Sequence, residues 1–192
     1  MKTALSAHFE RCYDKARQFA GCDVRLGSSC VDEKAKYKGK AFNKVYPYPS
    51  FELQLVDRGG NLREGWFSSN LSTDWYCFIG ISSTAPDETR IAESEILSAD
   101  LLFVKKADVE ELVESETGKA RLMSDAQKLR DEGMPDSRGL ARLRYSHGKF
   151  WLTYSDNLDE KPVNMVVPRQ TLEGLPHSKH MSVTRDSAKK ED

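Results

Sequence analysis

The spacing of apolar residues predicts a helix at the start of the chain, followed by strands. In residues 3–20 apolar side chains recur every three or four positions, which is the spacing of one helical face, and Gly21 follows as a stop signal. Three extended segments come next, at 22–26, 29–37 and 50–58. The first part of the chain is therefore predicted to be a helix and three strands.

The rest of the chain alternates between both types of element. Residues 75–81 are apolar throughout, which is typical of a central strand buried on both faces. A helix is predicted at 120–130, and turn signals at 57–61 and at His147-Gly148 predict two hairpins. Together these elements predict an α+β fold, a mixed β-sheet of five or more strands with the N-terminal helix packed on it.

Length and composition limit the classes of protein. The 192 residues predict a single domain over 1–183, followed by a disordered tail over 184–192 that has no apolar pattern. No apolar run approaches the roughly 18 residues of a membrane helix, and the N-terminus becomes charged too early for a secretory signal. We therefore expect a cytoplasmic protein with no membrane association.

Two further features bear on compartment and partners. The four cysteines form no Cys-x-x-Cys pair, so we expect buried free thiols in a reducing cytoplasm. The net charge of −1 gives no global attraction to nucleic acid, so any such binding needs a local basic patch. Signatures of serine hydrolases and of P-loop nucleotide hydrolases are absent from the sequence.

Candidate chemistry lies on the second and third predicted strands. Because side chains alternate along a strand, Asp32 and Lys34 share one face of the second strand, and Glu52 and Gln54 share one face of the third. If the two strands are neighbours, Asp32, Lys34 and Glu52 converge. Two carboxylates placed together repel each other unless a cation lies between them, and hard oxygen ligands suit Mg²⁺.

This arrangement resembles the PD-(D/E)XK nuclease superfamily, whose restriction-endonuclease-like αβββαβ core carries an acid on one strand and an acid-x-lysine element on the next. The resemblance covers residues 1–82 and can be drawn in two registers. In the first register, Asp23 is the lone acid and Asp32-Glu33-Lys34 is the acid-x-lysine element.

In the second register, Asp32 is the lone acid, and Glu52 and Gln54 form the acid-x-polar element. A glutamine then stands where the family has lysine, and Lys34 supplies the positive charge from the neighbouring strand. In some relatives a glutamate from the first helix joins the site, and Glu10 is the residue that would do so here.

The resemblance implies metal-dependent phosphodiester hydrolysis of nucleic acid, with DNA favoured over RNA. It implies that Asp32 and Glu52 hold Mg²⁺ or Mn²⁺, with Asp23 as an additional or substitute ligand, and that Lys34 orients water or stabilises the transition state. A homodimer is one arrangement it implies, because many nucleases of this type need two sites to cut two strands.

A lysine-rich segment with aromatic residues follows the second strand. Lysines contact phosphates and aromatic rings stack on unpaired bases. The predicted nucleic-acid contacts are Lys36, Lys38, Lys40 and Lys44. A solvated charged loop is a second interpretation of the same residues.

The acids and the lysine of the second strand also allow interpretations without catalysis. The second strand could be an exposed edge whose alternating charges prevent aggregation, with Lys34 simply paired to Glu52 across strands. The protein could also be a non-catalytic accessory protein of a phage or plasmid that binds nucleic acid or a host protein. The glutamine at position 54 favours this accessory role.

Overall fold

The computed structural model describes residues 9–37, 48–69, 71–85, 91–133, 142 and 144–184. The fold is α+β, as the sequence predicts, and its strands form two separate sheets. The strands are β1 Phe9–Arg11, β2 Val24–Leu26, β3 Ser29–Tyr37, β4 Ser50–Val56, β5 Leu62–Glu64, β6 Trp75–Ser83, β7 Ile96–Lys105, β8 Ser146–His147, β9 Phe150–Tyr154, β10 Val163–Val166 and β11 Lys179–Thr184. The helices are α1 Lys15–Phe19, α2 Lys106–Glu116, α3 Lys119–Asp131 and α4 Arg169–Glu173, with a 3₁₀ turn at Glu93–Glu95.

The first sheet has six strands in the order β1-β2-β3-β6-β7-β11. It is mixed, because β3 and β6 are parallel whereas the other neighbouring pairs are antiparallel. One face carries an apolar cluster built around Val24, Val31, Cys77 and Phe103. Since side chains alternate along β3, Asp32 lies on the face opposite to Val31.

The second sheet has five strands in the order β5-β4-β10-β9-β8, and every neighbouring pair is antiparallel. Helix α3 contacts this sheet through Gln127 and Arg130, whose side chains lie within hydrogen-bonding distance of Gln54 on β4. Directly after β5, Gly65 lies against the Glu52 backbone, where a Cβ atom would collide with it. A glycine is therefore required at that crossing.

The chain divides into two compact units, and each sheet belongs to one of them. In the described chain the first unit contains 9–37, 72–85, 91–106 and 173–184, and the second contains the remaining described residues. This division does not test the prediction of a single domain over 1–183, which stays a prediction. The predicted tail begins inside β11, and the residues after Thr184 lie outside the described chain.

Among the residues that the structure describes, the helix predicted at 3–20 is confirmed only at Lys15–Phe19 and is wrong at Phe9–Arg11. Phe9–Arg11 is strand β1, and only Lys15–Phe19 is helical, with Asp14 as the N-cap. Gly21 does end the helix, with a positive φ of 79°. The apolar spacing was compatible with a helix, but antiparallel pairing with β2 recruits residues 9–11 into the sheet.

Several other predictions are confirmed. The segment predicted at 29–37 is β3, the helix predicted at 120–130 is α3 with one more residue at each end, and both predicted hairpins form. Residues 75–81 lie in β6, a central strand with β3 and β7 on its two sides. Within the described ranges, no helix is long and apolar enough to cross a membrane.

The expectation of free thiols is wrong for two of the four cysteines. Cys22 and Cys30 form a disulfide, with Cα atoms 4.9 Å apart, whereas Cys12 and Cys77 are free and buried. Cys30 lies on β3 opposite Arg25, and the chain turns and bends at residues 20–23, just before β2, which brings Cys22 to Cys30. Disulfides are rare in the cytosol, so the cytoplasmic location stays a prediction.

We predict that the second sheet depends on apolar burial at β4. Leu53 is 0 % exposed, whereas Leu62 on the neighbouring strand is 46 % exposed. Leu53→Ala should lower the free energy of unfolding by about 2–5 kcal/mol, because it leaves a cavity. The matched control Leu62→Ala should change it by less than about 0.5 kcal/mol. Urea denaturation measures both values, and equal losses would contradict the burial described here.

Candidate active site

The hairpin of β2 and β3 brings two predicted site residues together. Val24 lies opposite Val31, and the Asp23 N–H donates to the Val31 carbonyl at 3.0 Å. This register places Asp23 beside Asp32. The turn between the strands passes through Gly27, whose φ of 64° favours glycine, and the Cys22–Cys30 disulfide ties the strands together.

The Asp32 carboxyl is the most perturbed group of this site. Asp32 is only 3 % exposed, and its Oδ1 lies 2.7 Å from the Lys34 Nζ. Burial raises the pKa of Asp32 from 3.8 to about 6, although the Lys34 ammonium opposes the shift. A hydrogen bond with the Asp23 carboxyl and the charge of that carboxyl raise the pKa further. Asp32 therefore shares a compact site with a second acid and a lysine.

The neighbouring groups hold Asp23 and separate Glu33 from the site. The Asp23 Oδ2 accepts a hydrogen bond of 2.9 Å from the Glu33 backbone N–H. The Glu33 side chain pairs with Arg11 of β1 at 3.6 Å, and burial raises its pKa. Asp32 and Lys34 thus pair with each other, whereas Glu33, which lies between them on β3, pairs with Arg11. This is the alternation of side chains that the sequence predicts.

The second register requires β3 and β4 to be neighbouring strands, and they are not neighbours in either sheet. β3 pairs with β2 and β6, whereas β4 pairs with β5 and β10 in the other sheet and the other unit. The expected convergence of Glu52 with Asp32 assumed that these strands are neighbours in one sheet, and that assumption is wrong. The role predicted for Glu52 stays a prediction without this support.

The remaining predicted site residues have separate positions. Gln54 is buried in β4, where its amide lies 3.4 Å from both the Gln127 Oε1 and the Arg130 Nε. Glu10 lies exposed on β1 rather than on a helix, opposite Arg25 in register. The backbone of Lys36 belongs to β3, and Lys38, Lys40 and Lys44 lie outside the described residues.

The edge-strand interpretation of residues 29–37 is contradicted by the sheet order. β3 has β2 on one side and β6 on the other. Lys34 makes its salt bridge with Asp32, two residues away on the same strand. An acid on an inner strand cannot be explained as protection of an edge.

The chemistry of the pair fits a hard divalent cation. Two carboxyls in mutual contact repel each other when both are ionised, and the raised pKa of Asp32 reflects this contact after burial. Mg²⁺ commonly takes one or two carboxylates and completes its octahedron with water and substrate phosphate. Within the described residues, no group of three or more His, Cys, Asp or Glu side chains is arranged for a metal. Two protein ligands are therefore what this site offers.

Sequence reasoning missed the surroundings of the disulfide. Arg17 and Arg25 line a pocket beside Cys22 and Cys30. A hairpin of the strands predicted at 22–26 and 29–37 would place Cys30 opposite Arg25 and Cys22 opposite Glu33, so strand register alone does not predict this disulfide.

Comparisons with protein-family models, with curated proteins and with solved structures find no significant match to this chain. The residues and their geometry therefore carry the functional argument.

We predict that Asp32 makes stability depend on pH. Between pH 3.8 and about 6 the folded chain keeps the Asp32 proton while the unfolded chain releases it. The free energy of unfolding should therefore fall as pH rises through this window, by up to about 3 kcal/mol from this group.

Urea denaturation at several pH values between about 4 and 7 tests this prediction. The Asp32→Asn variant should lose this decrease, and the exposed control Asp156→Asn should keep it. Parallel stability curves for the wild type and Asp32→Asn would show that the Asp32 pKa is not raised.

Proposed function

We propose that this chain is a metal-dependent nuclease that hydrolyses phosphodiester bonds of nucleic acid, DNA in preference to RNA. One observation carries the proposal: the buried Asp32 carboxyl contacts both the Asp23 carboxyl and the Lys34 ammonium. This combination corresponds to the first of the two registers in which the chain resembles PD-(D/E)XK nucleases. The restriction-endonuclease-like core belongs to the same proposal.

In the proposed site, Asp23 and Asp32 hold Mg²⁺ or Mn²⁺. The bound cation supplies Lewis-acid polarisation of a phosphate oxygen and lowers the pKa of a coordinated water. Burial of Asp32 strengthens its attraction for a cation, because screening by water is weak there. The contact between the two acids is the source of repulsion that a cation would relieve.

The Lys34 ammonium places a positive charge next to the two acids. Its Nζ donates to Asp32 at 2.7 Å, and an ammonium group has three donors. We assign to Lys34 the stabilisation of negative charge that develops on the phosphate in the transition state. The lysines predicted to follow the phosphate backbone, Lys36, Lys38, Lys40 and Lys44, are the next basic residues along the chain.

The second candidate function is that of a non-catalytic accessory protein that binds nucleic acid or a host protein. One observation favours it: the Asp32 Oδ1 is already paired with Lys34, and within the described residues no third acid joins the two carboxyls to form a metal-ligand group. In that case Lys34 itself neutralises Asp32, and the cluster is a structural ion pair.

We predict that cleavage requires Asp23 and Asp32 and does not require Glu52. Asp32→Ala or Asp23→Asn should lower the cleavage rate at least about a hundredfold, since losing even an outer partner of a metal ligand costs roughly 10–100-fold in affinity or activity. Lys34→Ala should also lower the rate, because it removes the charge assigned to transition-state stabilisation. Glu52→Gln should retain the wild-type rate.

The measurement uses purified protein with single- and double-stranded DNA and RNA, in Mg²⁺, Mn²⁺ or EDTA. Loss of cleavage in Glu52→Gln but not in Asp23→Asn would favour the second register. Nucleic-acid binding without cleavage, by a folded wild-type protein in Mg²⁺ and in Mn²⁺, would replace the nuclease with the accessory protein.

A further inference from the structure

Three cysteines meet at the base of the β2–β3 hairpin. Cys22 is disulfide-bonded to Cys30, and the free Cys12 thiol lies 3.8 Å from the Cys22 Sγ. Cys12 and Cys22 are buried, whereas Cys30 is partly exposed. A thiol that approaches from solvent therefore reaches the disulfide through Cys30.

A pocket of about 190 Å³ opens beside this disulfide. It is lined by Arg17, Ala20, Cys22, Arg25, Cys30 and Ser72. Arg25 lies opposite Cys30 in the strand register, and its buried Nε has no hydrogen-bond partner among the described residues. Arg17 and Arg25 both line the pocket, and their positive charges favour an anionic group there.

The backbone around the pocket is held by hydrogen bonds from several directions. The Cys30 N–H donates to the Asp74 carboxylate at 2.8 Å, and the Cys22 N–H donates to the Arg17 carbonyl at 3.0 Å. Ser72 donates to the Ala20 carbonyl through both its N–H and its hydroxyl. These contacts fix the walls on both sides of the disulfide.

We propose that this pocket is a thiol–disulfide exchange site for a small anionic thiol of the glutathione class. The incoming thiolate attacks the Cys30 Sγ, a mixed disulfide forms at Cys30, and the Cys22–Cys30 bond breaks. Cys22 leaves as a thiolate, and Cys12 stabilises it by donating its S–H. A second thiol of the same class then attacks the adduct sulfur, which releases the oxidised thiol and leaves Cys30 reduced.

Each protein group has a separate part in this exchange. Arg17 and Arg25 attract the carboxylates of the incoming thiol and raise its local concentration. Cys12 is a positioning residue, because it acts through Cys22. Cys77 takes no part, since burial raises the pKa of its thiol to about 12 and keeps it protonated. The inference is independent of the proposed nuclease activity.

The first test uses the wild-type full chain with its disulfide formed. The rate of mixed-disulfide formation is measured by mass spectrometry with glutathione and with the cationic thiol cysteamine. Each rate is divided by the rate of the same thiol with a small neutral disulfide, which corrects for intrinsic reactivity. We expect glutathione to be favoured by about tenfold, and the preference should shrink at high ionic strength.

Peptide mapping of the product locates the adduct. An adduct on Cys30 supports the proposal. An adduct on another cysteine, no adduct at all, or equal corrected rates for the two thiols would overturn it. This arm needs no variant, so it stands even if a substitution prevents folding.

Variants then assign the roles. The Arg17→Gln/Arg25→Gln double variant should reduce the glutathione preference toward one, while the control Arg63→Gln, in the other sheet, should retain it. Cys12→Ala should slow adduct formation roughly threefold, and Cys12→Ser should restore the rate because a hydroxyl also donates. An unchanged preference in the arginine double variant would overturn the anion-binding role of the pocket. An unchanged rate in Cys12→Ala would overturn the role of Cys12.

Discussion

Burial of the Asp32 carboxyl within a strand paired on both sides is the constraint on which the site depends. An acid at this position loses water, so it needs a proton, a cation or hydrogen bonds to remain there. In this protein Lys34 supplies a cation at 2.7 Å and Asp23 supplies a hydrogen bond. Lys34 opposes the effect of burial whereas Asp23 adds to it, and the pKa of Asp32 rises to about 6.

The hairpin explains why the neighbours are in place. The register of β2 and β3, the Gly27 turn and the Cys22–Cys30 disulfide all fix Asp23 beside Asp32. Functional sites frequently contain an ionisable group whose pKa is shifted because its neighbours do not fully stabilise the charged form. A divalent cation shared by the two acids would complete the compensation, and the proposed nuclease activity depends on such a cation.

Local patterns were sufficient to predict the strands that carry the site. Period-two alternation placed Asp32 and Lys34 on one face, and their contact agrees with that prediction. The turn at 57–61 and the helix at 120–130 were also predictable, because each depends on residues close in sequence.

Strand order could not be predicted in this way, because sheet pairing joins residues distant in sequence. The chain leaves the first sheet after β3, enters the second unit at β4 and returns at β6, so β3 and β4 are never partners. No local signal distinguishes that path from a simple meander. The helix expected at 3–20 failed over residues 9–11 for a related reason, since their pairing with β2 overrides their helical spacing.

Metal binding by Asp23 and Asp32 is tested by titration of the Asp32 carboxyl carbon by NMR, with and without Mg²⁺. We expect a pKa of about 6 in the absence of metal and a pKa well below that value when Mg²⁺ is added, because the cation favours the ionised form. In the Asp23→Asn variant the response to Mg²⁺ should weaken. An Asp32 pKa that does not move when Mg²⁺ is added would contradict metal binding by Asp23 and Asp32.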